Sequence, residues 1–87
     1  MPNILTETVA AGATGTWAAT DGATNIAVGV TGNKYRIEYN FGDQATPHKH
    51  SEDNGAVSSI KEVIIAKANE VRVVSTGAEP VAVEVFI

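Results

Sequence analysis

Residues 34 to 41 read Lys34-Tyr35-Arg36-Ile37-Glu38-Tyr39-Asn40-Phe41, and polar and apolar side chains alternate at every step. Successive side chains of an extended chain point to opposite faces, so Tyr35, Ile37, Tyr39 and Phe41 share one face and Lys34, Arg36, Glu38 and Asn40 the other. That is the period of a β-strand with one face in a core and one in water. The same period returns near the C-terminus, where Val81, Val83, Val85 and Ile87 alternate with Ala82, Glu84 and Phe86. If the valine row faces the core, Phe86 is left exposed or is covered by another subunit, and covering costs less.

Outward from the octet, Ile26, Val28 and Val30 alternate with Ala27 and Gly29, a strand whose second face is nearly bare and open to close packing by something large. Thr31-Gly32-Asn33 then predicts a tight hairpin into the octet. Ile4 to Val9 reads as a first strand, and Thr16 to Thr20 around Trp17 as a short one followed by an Asp21-Gly22 turn. Between them Ala10 to Gly15 holds only small side chains, the composition of a flexible connection or of a close backbone crossing, and residues 1 to 15 together read as a possible N-terminal arm. Residues 42 to 56 contain no hydrophobic side chain larger than alanine and read as the longest loop.

Val57 to Ala68 carries two signals. Ser59 and Glu62 fit a capping box, and Ile60, Val63, Ile64 and Lys67 fit a helical face. The β-branched run Val63-Ile64-Ile65 argues for a strand, which is the reading preferred. Val71 to Val74 follows as a strand, and Ser75 to Pro80 closes a last hairpin. About six to eight short strands with regular turn signals describe an all-β fold, a small antiparallel β-sandwich or jelly-roll-like barrel, in one domain over residues 1–87.

With 87 residues the core barely outweighs a conformational entropy cost of about 1.5 kcal/mol per ordered residue. Cysteine is absent, so no disulfide or thiolate zinc site staples the chain, and oligomerisation or docking on a larger assembly is the natural substitute. Ten acidic residues against six basic ones give a net charge of −4, and the basic ones are scattered. Binding to nucleic acid by phosphate neutralisation is disfavoured. Neither the charged start and apolar run of a signal peptide nor the roughly 20 apolar residues of a membrane span appears, so the expectation is a soluble chain with no membrane partner, made without an export signal of its own.

His48 and His50, with Asp43, Glu52 and Asp53 nearby, offer nitrogen and oxygen donors, but no distant third histidine completes a metal site and a solvated loop explains them. Histidines two apart share a direction only on a straight backbone. Ser51, Ser58 and Ser59 lie near these histidines without a Gly-x-Ser-x-Gly elbow, and adjacent Glu52 and Asp53 in a polar loop both stay ionised. The expectation is therefore no enzyme, no metal and no cofactor. Trp17, the sole tryptophan, is either an interface anchor, a sugar-stacking platform or a cap on the core.

The segment Glu70 to Val85, Glu-Val-Arg-Val-Val-Ser-Thr-Gly-Ala-Glu-Pro-Val-Ala-Val-Glu-Val, in a cysteine-free chain rich in alanine, glycine and threonine, resembles small all-β virion structural proteins of tailed bacteriophages, above all head decoration or cement proteins. The likeness runs over residues 16 to 87 and is one of strand layout. It implies a capsid decoration protein on the virion exterior that stabilises the head by bridging subunits of the major capsid protein, assembled as a homo-oligomer, often a trimer. Candidate interface residues under that reading are Ile4, Leu5, Trp17 and Phe86, with Ala10 to Gly15 as a tether. A carbohydrate-binding β-sandwich module, with Trp17 beside Tyr35 or Tyr39 on one exposed face, and an accessory domain of a tail or fibre protein are the alternatives.

Overall fold

The structure is a computed structural model that describes residues 1–32, 34–42, 47–53 and 59–87, with the backbone alone for 51–53 and 59–64. Its strands are β1 (Asn3–Val9), β2 (Ala18–Ala19), β3 (Ile26–Gly32), β4 (Tyr35–Asn40), β5 (His48–Asp53), β6 (Ser59–Ile65), β7 (Glu70–Ser75) and β8 (Val81–Phe86). They form two four-stranded antiparallel sheets, in the orders β1-β8-β3-β6 and β2-β7-β4-β5. This is the strand order of an eight-stranded jelly roll, and it answers the all-β expectation.

The two sheets enclose one core. Val81, Val83 and Val85 of β8, with Ile26, Val28 and Val30 of β3, meet Tyr35 and Ile37 of β4 and Val71 and Val73 of β7. The alternation that defines the strands thus also assigns their inner faces. Val63 to Ile65, the ambiguous run, lies in β6 and pairs with β3, so the strand reading holds.

Two expected hairpins do not form. β3 and β4 lie in different sheets, as do β7 and β8. The reason is edge occupancy: β3 already has β8 and β6 on its two edges, and β8 has β1 and β3, so neither offers an edge to its sequence neighbour. Consecutive strands change sheet throughout, except β4 and β5.

The expected long loop over residues 42 to 56 is also corrected, because His48–Asp53 pairs with β4 as β5. Its residues lack apolar alternation because β5 stands at a sheet edge, where cross-strand partners Arg36↔Glu52 and Glu38↔Lys49 join polar to polar. Asp43 to Thr46 and Asn54 to Ala56, the rest of that expected loop's flanks, lie outside the described residues.

Residues 1 to 15 are built into the fold rather than hanging from it as an arm. After β1, Thr14 bridges Val74, Ser75 N–H donates to Ala13 O at 2.9 Å, and Gly15 N–H donates to Val73 O at 2.8 Å. At Gly15 the missing side chain serves a close backbone crossing. A Cβ at Gly15 would sit 2.5 Å from Val73 O, 2.7 Å from Glu7 Oε1 and 2.9 Å from Val9 Cγ2. Gly15→Ala is therefore expected to lower the unfolding free energy by about 1–3 kcal/mol, read as a lower urea midpoint with an unchanged slope. Gly29→Ala, whose Cβ meets nothing nearer than Glu84 O at 3.9 Å, is the control and is expected to stay within about 0.5 kcal/mol of the parent.

Candidate interaction surfaces

Three surface groups carry the side chains singled out by sequence, and they lie apart. The first is one end of the first sheet, where the start of β1 meets the end of β8. Asn3 pairs with Phe86 and Leu5 with Val85, so Ile4 is the extra residue of a β-bulge. The Asn3 side chain closes this bulge, its amide donating to Leu5 O at 3.1 Å while its Oδ1 accepts the Thr6 hydroxyl at 3.2 Å. The bulge leaves Ile4 exposed and sends Leu5 back inward, where it packs against the core. Leu5 is thus half-buried against the core, unlike Ile4.

Phe86 belongs to the outer row of β8, directly opposite Ala27, and is half-buried. Ile87 N–H donates to Pro2 O at 3.0 Å and draws the two chain ends together. Met1, 62% exposed, and Ile4, 36% exposed, therefore share this end with Phe86.

The second group covers the outer face of the second sheet. The octet's polar face is not open to water: Glu38 and Asn40 are buried, Arg36 is half-buried and only Lys34 is exposed. Glu38 stands opposite Arg72 on β7. Its Oε1 accepts from Arg72 Nε at 2.7 Å and its Oε2 from Arg36 Nε at 2.8 Å. Trp17 closes the stack, with the Arg72 guanidinium carbon 4.2 Å from the ring centroid. The ring is half-buried and outside the core cluster, so Trp17 lids an ion cluster and does not cap the core. Further along, the Asn40 amide donates to Glu70 Oε1 at 3.1 Å.

The sugar platform imagined for Trp17 with Tyr35 or Tyr39 does not form. Tyr35 is fully buried and Tyr39 packs against the core on the inner side of that sheet, whereas Trp17 lies over its outer side.

The third group sits where β4 and β5 meet. Tyr39 is stacked on His48, centroids 5.2 Å apart and planes 24° apart, and meets Phe41 edge-on at 5.4 Å and His50 edge-on at 6.2 Å. Phe41 also lies 6.0 Å from His48. Phe41 was the expected end of the core face, but β4 stops at Asn40 and the chain turns away at Gly42 with φ +55°, leaving the ring 45% exposed.

Among the described residues no group of three or more His, Cys, Asp or Glu is arranged to hold a metal ion. Asp43 and Ser58 lie outside the described residues, as do the side chains of Ser51, Glu52, Asp53 and Ser59, on which the catalytic alternatives rested. Comparison with protein-family models, with curated proteins and with solved structures finds no match to this chain.

Burial alone would raise the Glu38 carboxyl, but hydrogen bonds and charge from Arg72 and Arg36 outweigh it and hold it below its ordinary value of 4.5. A lowered folded-state value means that the cluster stabilises above the ordinary carboxylate range and loses that contribution as pH falls through the lowered value. Glu38→Gln is expected to cost about 1–3 kcal/mol at neutral pH. The gap from the parent should shrink progressively below about pH 4, as followed by urea titrations across pH.

Proposed function

We propose that this chain is a non-enzymatic structural protein of a phage virion, a capsid decoration protein that binds the major capsid protein from outside and self-associates, as a trimer, on the assembled head. The observation that carries the reading is the apolar end of the first sheet, where Met1 and Ile4 stand exposed beside half-buried Phe86. Such a cluster on a small domain lowers its free energy when a neighbour covers it. The shape agrees: the Cα envelope measures 33 × 29 × 17 Å, a slab with two broad faces suited to lying on a surface.

The jelly-roll order adds fold-level analogy, since capsid and lectin domains share that architecture while sites, not folds, determine function. A decoration protein needs no reactive group. It binds the assembled lattice in preference to loose subunits and stabilises the shell by mass action, and many copies on a symmetric lattice add effective concentration.

Light scattering of the purified chain should give a multiple of 9.0 kDa, and the chain should co-sediment with assembled phage heads. Ile4→Lys with Phe86→Ser should reduce the mass to that of one chain and weaken head binding at least tenfold, about 1.4 kcal/mol, without altering the β-type circular dichroism. A parent chain that is monomeric and ignores heads overturns the reading.

A further inference from the structure

We propose that residues 10 to 17, which cross from β1 to β2, form a strap that opens and closes as a unit in the folded protein, with the Glu7 carboxylate as its latch. The inference does not rest on the capsid reading, because neither Ile4 nor Phe86 takes part in the strap.

Burial marks out the segment. Val9 before it and Ala18 after it are 3% and 4% exposed, and Thr20 beyond is fixed by its hydroxyl, which donates to Ala68 O at 2.6 Å. Between these anchors every residue from 10 to 17 is exposed or half-buried, and Ala13 alone of them packs against the core. A stretch that buries so little apolar surface is held mainly by polar contacts, and it opens at a smaller free energy than the strands around it.

Those contacts fall into two sets. Along β7 they are main-chain bonds: Gly15 N–H donates to Val73 O and Ser75 N–H to Ala13 O. Across the gap between the sheets Glu7 reaches from β1 to the strap, its Oε1 accepting the Thr16 N–H and its Oε2 the Thr16 hydroxyl, both at 2.8 Å. Glu7 stands in register between Leu5 and Val9 on the inner row of β1, where a carboxylate beside a valine core is costly unless its oxygens are bonded. Thr16 bonds both oxygens, and charge-assisted bonds are the strong ones, so the polar hold on the strap is concentrated at Glu7. The bare Gly15 admits the carboxylate, since a Cβ there would lie 2.7 Å from Glu7 Oε1.

Opening therefore releases a defined set. Thr16 leaves Glu7, and Val73 O and Ser75 N–H lose their partners, while Ala18 and Thr20 hold their places. With the strap down, the β7 edge at Val73 to Ser75 is paired and closed to other chains; with it up, that edge is free.

The test is native-state hydrogen exchange on the full chain, followed amide by amide in water and in sub-denaturing urea. The amides of Gly15 and Ser75 should exchange at least about tenfold faster than those of Val28 and Val83 in β3 and β8, at rates that urea leaves unchanged while the Val28 and Val83 rates climb. Glu7→Gln and, at an exposed position, Thr16→Val should each speed exchange at Gly15 and Ser75 by about threefold or more. Ile26→Val, a trimmed core residue present in both the closed and the open form, should speed Val28 and Val83 and leave Gly15 and Ser75 as they were. Gly15 and Ser75 rates that climb with urea in step with Val28 and Val83 overturn the strap, because the segment then opens only when the whole chain unfolds. Rates at Gly15 and Ser75 that neither Glu7→Gln nor Thr16→Val moves overturn the latch.

Discussion

Everything in this fold hangs on the insertion of β7 and β8 into the interiors of the two sheets. β8 lies between β1 and β3, and β7 between β2 and β4. Their inner residues, Val71, Val73, Val81, Val83 and Val85, are all at most 1% exposed. Without this pair the other strands have no common partner: β1 pairs with β8, β2 with β7, and the two halves of the core never close. The surfaces depend on it as well. The bulge that exposes Ile4 exists only because β1 is measured against β8, and the Trp17 lid sits where it does because β2 runs along β7. Most of the pairing is between distant parts of the chain, a topology whose loop-closure entropy must be met before its contacts form and that as a class folds slowly.

The two outer faces solve different problems. On the first sheet the outer rows of β3 and β8, Ala27, Gly29, Thr31, Ala82, Glu84 and Phe86, have short side chains except at two positions. On the second sheet the outer rows of β4 and β7 carry Arg36, Glu38, Asn40, Glu70 and Arg72, which are tied together in two groups. One carboxylate, Glu38, accepts from two guanidiniums, and a tryptophan covers one of them. A partly buried cluster of this kind adds little net stability beyond what apolar residues of equal volume would give. Its geometry does set register, because Glu38 and Arg72 are direct partners across β4 and β7 and a slip of one residue would separate them.

Alternation made the strands legible and left their partners hidden. Period two says which side chains share a face, and for β3, β4, β7 and β8 that assignment matches the inner rows of the core. It does not say which strand lies alongside. Turn signals at Thr31-Gly32 and Ser75 to Pro80 suggested hairpins, since a tight turn reverses the chain equally well within a sheet or across the gap between two. β5 carries no strand signal in the sequence because an edge strand of polar residues lacks the alternation that betrays a buried one. Leu5 and Ile4, neighbours in sequence and alike in chemistry, received opposite fates from a bulge that leaves no composition signal. The four-ring group was scattered across an octet and an expected loop, and only pairing of Tyr39 with His48 brings it together.

A small chain that leaves Met1, Ile4 and Phe41 outside its core gives up burial it could ill spare. At about 25 cal/mol per Å² of apolar surface, each large side chain kept out forgoes on the order of 1.5–3 kcal/mol. Under the capsid reading proposed above, that apolar area would be recovered when a neighbour covers it. The two exposed groups stand on different sheets, Ile4 on the edge strand of the first and Phe41 at the end of the second, so covering one leaves the other in water.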